Sequence, residues 1–522
     1  MKTVFHLIMF VILTCFALSS YATDYTATSC QNTVASPHVQ NCIDGLSPCV
    51  GITAGDTVIM PTGNCSWTTP VTISTSIKLK GASQTGTVLI DNLNRTTSIA
   101  MINIITSTGL TEVSYFTIDG NNNIGVNGSR FFDISGTGTT WHIGHITFTA
   151  YENQRFAVVY AKKGLIDWLT GTATFPNGTG AIYVWNGWQT GNRSDIVWSE
   201  PQALGTDNAL YIEKCTWTST FVPPPTGMPW AIDGWIGARV VFRRNTLTNV
   251  WIATHGTESA QHQRGFRMFE ILDNTANYTQ SWGQFVDIRS GSGVVRGNTV
   301  TGADVSYFIS EANDRLITPF APWGHADGVN VWDNNDATTY ATGTHAGPND
   351  TQTLTVSPSP GWTPDIWVGY SLRDTTSGKS GLIVDNSANT IDVNHQVNNP
   401  AGQPNWQTGE GFAINRVIAS LDQAGHGQGD LLGGPAEAPI NTVFGVAQWP
   451  RATIEGIYIW ENTFKGSAVT SANIAATDLT LFLQNREWFL TAKSGYVEYQ
   501  YPHPLATSGQ TPPTIHRKRH SR

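Results

Sequence analysis

Charge is the scarcest commodity in this chain. Only 13% of its 522 residues are Asp, Glu, Lys or Arg, against about 25% in an average soluble protein. The balance of 29 basic and 38 acidic side chains leaves a formal net charge of -9. A general nucleic-acid binder needs a basic face to displace counterions, so that class is set aside. Helix-forming Lys, Glu and Met are few. Beyond the N-terminus no run approaches the roughly 18 apolar residues of a membrane span. Cys-x-x-Cys pairs are missing too, and no pair of histidines lies near the cysteines, which removes support for a zinc site. The two-residue turns that would join antiparallel hairpins do not occur between the strand-like runs.

What is present is strand-and-turn chemistry: Gly, Thr, Asn, Val and Ile throughout, with 19 tryptophans. The first residues read as an export signal: Lys2, an apolar core from Val4 to Leu18, and small residues suited to cleavage after Ala22. A secreted or periplasmic location follows. Cys30, Cys42, Cys49 and Cys65 then suggest two disulfides of open pairing, and Cys215 a buried inert thiol.

From Val58 onward, short β-branched runs alternate with Gly, Pro, Ser and Asn. A repeat then emerges. LYIEKCTWTS, VVFRRNTLTN, MFEILDNTAN, VVRGNTVTG, VNVWDNNDA and IYIWENTFKG share apolar alternation followed by Asn or a small polar residue, at intervals of roughly 24 to 36 residues. An inward Asn at a bend can bond the backbone of neighbouring coils, so stacking predicts Asn ladders beside an apolar core.

This pattern resembles the right-handed parallel β-helix, or pectin-lyase-like, superfamily, from about Gly51 to Lys465. The motifs GARVVFRRN…HGTE…RGFRMFEI, LDQAGHGQGDLL and NREWF…GYVEYQYPHPL resemble a subgroup of secreted bacterial β-helix proteins. The expected fold is all-β: a right-handed parallel β-helix solenoid with an inserted β excursion and a short C-terminal cap. The expected division is a signal peptide (1–22), a cysteine-bearing segment (23–50), the β-helix (51–336), a β/loop insertion walling a groove (337–415), final coils with the cap (416–505), and a disordered basic tail (506–522).

Ionisable side chains gather between Asp233 and Glu270. Arg239, Arg243, Arg244, Arg264 and Arg267 lie there with His255, Asp233, Glu258 and Glu270. If VVFRRN is a strand, Val240 and Phe242 face one way, and Val241 and Arg243 the other. Arg239, Arg243 and Arg267 would then stack on one outer sheet at about 4.8 Å spacing. Two readings stand. In one, Asp233, Glu258 and Glu270 neutralise the arginines and pin a loop to the coils. In the other, the arginines cradle uronate carboxylates, since a planar fork suits that group. His255 is then base or acid with Glu258 tuning it. Arg243 and Arg267 neutralise the developing charge, while Arg289 and Trp235 extend the site.

A second candidate is Asp422, His426 and Asp430 in LDQAGHGQGDLL, which resembles the GHG element of polygalacturonases. The plainer reading is a glycine-rich turn. Asp327 and Asp333 make calcium a candidate cofactor, although their spacing fits no defined loop. Trp185, Trp188, Trp198, Trp230, Trp235, Trp323, Trp362, Trp367 and Trp406 lie in loop-like stretches, where indole faces stack on sugars or plug loops. The expected partner is an extracellular polysaccharide. The preferred activity is a polysaccharide lyase. A glycoside hydrolase or a non-catalytic adhesive rod are the alternatives.

Overall fold

A computed structural model describes residues 22–506 apart from 124, 127, 153–154, 162, 175–180, 186–199, 221–229, 235, 257–264, 280–281, 313–324, 327, 329–335, 394–403, 417–423, 428–452 and 477–481. The expected export signal therefore lies outside the described residues but for Ala22, and the expected tail lies outside them but for Ala506.

Alternation decides the architecture. In the strand Arg239–Arg243, Val240 and Phe242 are wholly buried in the central core, while Val241 joins a second apolar cluster on the outside of the same strand. Each strand pairs in parallel with its equivalent one coil on. Leu210 pairs with Val240, Val240 with Phe269, and Phe269 with Gly293. Every coil visits three faces. The first runs from Asp24–Thr26 and Thr57–Met60 to Ile457–Trp460 and Trp488–Phe489, the second from Gly63–Trp67 to Thr463–Phe464, and the third from Val71–Ile73 to Ile474–Ala476. Right-twisted strands joined in parallel wind to the right. The chain is a right-handed parallel β-helix.

The corner between the first and second faces is built the same way on coil after coil. Tyr115, His145, Trp168, Lys214, Arg244, Asp273 and Glu461 all take it in the left-handed backbone conformation, with φ between 48° and 63°. Beside this corner runs the asparagine ladder that the repeat predicts. Asn274 Nδ2 donates to the carbonyl of Phe242 at 3.0 Å, and its Oδ1 accepts the Asn245 backbone N–H at 2.9 Å. Asn298 and Asn462 continue the series. Cys215 heads the ladder, its N–H donating to Asn245 Oδ1 at 2.8 Å. It is buried, and burial pushes its thiol well above the ordinary range.

The N-terminal coil is closed by the helix His38–Ile43, pinned by disulfides Cys30–Cys65 and Cys42–Cys49. The pairing left open by sequence is thereby fixed. No helix of the described residues is long and apolar enough to cross a membrane.

At the other end the chain leaves the solenoid after Val305–Glu311. Val295 pairs directly with Ile459, and Ile309 with Ile474, so no rung intervenes between those coils. Of the VNVWDNNDA copy of the repeat, residues 329–335 fall outside the described residues. The excursion contains an antiparallel sheet in the order Thr339–Thr344, Gly411–Arg416, Tyr370–Asp374, Ser380–Asn386, Thr390–Val393, Leu354–Thr355. It has its own core of Leu354, Leu372, Ile383, Ile391, Trp406 and Phe412.

After Trp488–Phe489 the chain runs back over the outside of the first face. Tyr496, Tyr499, Leu505 and Ala506 pack there on Tyr211, Val241, Met268, Leu272 and Val294.

Candidate functional site

The ionisable stretch from Asp233 to Glu270 does not form one site. A single coil spends Arg239–Arg243 on the first face, Thr246–Thr248 on the second and Trp251–Thr254 on the third. The arginines therefore stand on the first face, and Asp233 and His255 on the third.

On the first face the arginines turn into protein. Arg243 is fully buried: Nε donates to Glu213 Oε1 at 2.8 Å, Nη1 to Glu498 Oε1 at 2.9 Å, and its nitrogens also reach the carbonyls of Tyr499 and Gln500 at 2.7 Å. Arg244 and Arg296 share Glu498 at 2.6 and 2.8 Å, and Tyr501 stacks on Arg244 at 3.8 Å. Arg267 Nη1 donates to Glu455 at 2.6 Å and Nη2 to the Glu200 carbonyl at 2.7 Å. Arg239 donates to the carbonyls of Pro201 and Gln202. Burial, with Arg267 beside it, brings the Arg239 guanidinium down to about 10. Glu270 takes its bonds from the Tyr496 hydroxyl at 2.5 Å and the Gly205 N–H at 2.7 Å, and burial pushes its carboxyl up. The reading of Arg239, Arg243, Arg267 and Glu270 as a uronate cradle thus meets a face already covered. The internal-pairing reading fits the placement, with partners other than those expected: Glu213, Glu455 and Glu498 in place of Asp233 and Glu270. Glu258, Arg264 and Trp235 lie outside the described residues.

His426 is also turned inward. Its Nε2 lies 3.2 Å from Glu487 Oε1, and Gly425 packs so closely on the Glu487 backbone, at φ +76°, that a side chain there would collide. The GHG turn thereby docks the C-terminal cap onto the stack. Asp422 and Asp430 are outside the described residues.

The third face differs. Asp233, in Trp230–Gly234, is buried, with Oδ1 accepting the Gly234 N–H at 2.8 Å and Oδ2 lying 3.4 Å from His255 Nδ1. His255 follows Trp251–Thr254. Its backbone is locked by the Gly234 carbonyl, the Phe266 N–H and the Ser290 hydroxyl, while its side chain keeps 20% exposure. Arg289, one coil on, places Nη2 2.6 Å from the same Nδ1, and its Nε lies 3.5 Å from Asp287 Oδ2. Burial alone raises the Asp233 carboxyl, yet His255, Arg289 and the Gly234 N–H together hold it below its ordinary value. Of the residues expected to act together, the structure joins Asp233, His255 and Arg289.

Further along this face, and not foreseen, Tyr183 pairs in register with Asp233 and carries the Arg155 guanidinium 3.7 Å above its ring. Tyr160 and Trp185 meet edge to face at 5.3 Å. Sequence reasoning named Trp185 among the loop-like tryptophans but missed Arg155, Tyr160 and Tyr183, because only the register stacks them. It missed Glu498 and Tyr501 as partners too, although the GYVEYQYPHPL motif carried the signal. Among the remaining tryptophans, Trp230 stacks on Trp251, and Trp362, Trp367 and Trp406 belong to the core of the excursion. Trp188, Trp198 and Trp323 lie outside the described residues, as do Asp327 and Asp333. Among the described residues no three His, Cys, Asp or Glu gather as a metal site.

No protein-family model and no curated protein matches the chain. Solved structures are similar at low identity. The A-module of the mannuronan C-5 epimerase AlgE4 of Azotobacter vinelandii is 16% identical, with 55% of this chain and 91% of that one covered, at a TM-score of 0.28. A capsular polysaccharide depolymerase, the tailspike of Acinetobacter baumannii bacteriophage Fri1, is 10% identical over 77% and 83%, at 0.30. The surface adhesin PfbA of Streptococcus pneumoniae is 13% identical over 53% and 84%, at 0.27. By its own strand register, the chain has the right-handed parallel β-helix fold.

Proposed function

We propose that this is a secreted carbohydrate-active protein, a polysaccharide lyase that cleaves a uronate-containing glycan by β-elimination on its third face. One observation carries the reading: a partly exposed imidazole stands between a buried carboxylate and a guanidinium, on a face that also presents Tyr160 and Trp185. Elimination needs a base for the proton at C5 and a cation for the neighbouring carboxylate, whose neutralisation makes that proton acidic. His255 is the base, Arg289 the cation, and Asp233 steadies the imidazolium that forms. The aromatic pair offers stacking surface to a neighbouring sugar. The two disulfides suit an oxidising, extracellular setting.

The test incubates the mature protein with uronate-containing and neutral polysaccharides, with and without calcium. A new C4=C5 double bond is read by ultraviolet absorbance and chain cleavage by reducing ends. Ultraviolet-absorbing product that vanishes in His255→Ala, with an unchanged circular dichroism spectrum, is the expected result. Binding to the glycan with neither signal would sink the enzyme reading. Reducing ends without the double bond would favour a hydrolase. For that second reading the register offers Asp233 and Asp287: Ile232 pairs with Ile252 and Ala253 with Asp287. The two residues thus stand on strands two rungs apart, about 9.6 Å between backbones, while inverting glycosidases hold their two carboxyl groups roughly 6.5–9.5 Å apart.

A further inference from the structure

One nitrogen of His255 has two neighbours that it cannot satisfy together. Arg289 Nη2 lies 2.6 Å from Nδ1, and a guanidinium only donates, so this contact requires a lone pair on Nδ1. Asp233 Oδ2 lies 3.4 Å from the same atom, and a carboxylate only accepts, so this contact requires a proton on Nδ1. The shorter contact selects the lone pair. Neutral His255 then carries its proton on Nε2, the nitrogen that a base would need bare. With Arg289 seated on it, the imidazole is in the wrong tautomer to accept a proton.

We infer that Arg289 is a carboxylate-operated switch for His255: an incoming uronate draws the guanidinium off Nδ1, and the imidazole re-pairs with Asp233 and bares Nε2. The inference rests on the lyase reading, and assigns Arg289 a second task within it. Arg289 is suited to the move. Its Nε lies 3.5 Å from Asp287 Oδ2, an ion-pair contact that keeps a counter-charge beside the guanidinium as it turns to a ligand. A fork of two parallel N–H donors matches a carboxylate better than it matches a single ring nitrogen. Asp233 is buried and held by the Gly234 N–H, and the His255 backbone is fixed, so neither must travel for the exchange.

The steps balance. On exchange, Nε2 gives its proton to solvent and Nδ1 takes one, with no net change. Nε2 then accepts the C5 proton. The C5–H electron pair becomes the C4=C5 double bond, the C4–O bond breaks, and the departing oxygen keeps the C4–O pair and is protonated by solvent water. The imidazolium, its Nδ1–H on Asp233, returns its extra proton to solvent. The arrangement keeps the base inactive until the group that acidifies the substrate has bound.

The experiment is nitrogen NMR of the full mature protein labelled at histidine, at about pH 8, above the ordinary imidazole range, with the His255 signals assigned by their loss in His255→Gln. The wild-type protein is expected to show the Nε2–H tautomer. Arg289→Gln should convert it to Nδ1–H without ligand. Sodium glucuronate titrated into the wild type should produce the same conversion, while neutral glucose at equal concentration should not. A wild-type protein already in the Nδ1–H form overturns the switch, and so does a folded Arg289→Gln that stays Nε2–H. Absence of conversion at saturating glucuronate overturns it as well, even if the variant fails to fold. Cleavage of a uronate glycan alongside any of these would leave the lyase reading standing without the switch. A clean tautomer exchange with no cleavage of any glycan would overturn the lyase reading instead.

Discussion

Glu498 carries three guanidiniums at once, from Arg243, Arg244 and Arg296, each held within 3 Å. Those interactions outweigh its burial and hold its carboxyl below the ordinary value. Removing a partner from a buried ion pair strands the other charge, at a cost of about 3–5 kcal/mol. Glu498→Ala and Arg243→Ala are therefore each expected to lower unfolding free energy by about 3–5 kcal/mol in urea titrations. His255→Ala is expected to lower the urea midpoint less, because its side chain is partly exposed and Asp233 keeps the Gly234 N–H and the Arg289 charge. The opposite ranking would remove the division of labour between the two faces. Arg267→Ala belongs with the first group, since it would take from Glu455 two guanidinium donors at 2.6 and 3.2 Å.

At the scale of elements, the asparagine ladder and the returning C-terminal segment hold the stack together. Asn274→Ala leaves the Phe242 carbonyl and the Asn245 N–H without their partners. An unsatisfied buried group costs about 1–3 kcal/mol, so a melting temperature several degrees lower is expected by calorimetry. Gly205 lies at φ +69° with the Val497 carbonyl pressed against the position a Cβ would take. Gly205→Ala should therefore lift the 496–506 segment locally, read as faster proteolytic clipping there while the solenoid stays intact. Acid should do the same. Burial, then the nearby Arg243 guanidinium and the His142 ring, bring His503 down to about 4, against the pull of Asp207 and Asp167. Its backbone N–H meets Glu213, and its ring packs on Tyr211 and Tyr499. The folded state prefers the neutral ring, so its contribution is complete above the unfolded value near 6.5 and is lost as pH falls toward about 4. Glu498, also depressed, acts in the same direction at lower pH, whereas Glu270, raised by burial, opposes it. Clipping within 496–506 should rise between about pH 6.5 and 4, and His503→Phe should flatten that rise.

For the whole molecule, the three-faced coil separates support from chemistry. The first face is sheathed by the chain's own C-terminal segment, and the third keeps His255 in partial contact with solvent. The N-terminal coil depends on its cross-links, since a solenoid end has nothing to stack on. The Cys30–Cys65 bridge spans a separation of 35 residues, and loss of such a link typically costs about 2–5 kcal/mol. Cys30→Ala with Cys65→Ala should lower the melting temperature more than Cys215→Ser, because Cys215 contributes its backbone rather than its sulfur to the ladder.

Sequence by itself determined the repeating coil. A two-residue alternation places Val240 and Phe242 inside, and an Asn at each bend can satisfy backbone groups only by stacking, so solenoid, ladder and N-terminal disulfides were legible in one dimension. Which charged residues meet was not. Arg243 finds Glu498 across a separation of 255 residues, and Asp233 and His255 part from Arg243 because one coil turns through three faces. Composition marks a cluster of charge, but the angle between successive strands and the path of the C-terminal segment decide which face it occupies. Only the tertiary structure could distinguish the arginines that hold the fold from the one that faces His255.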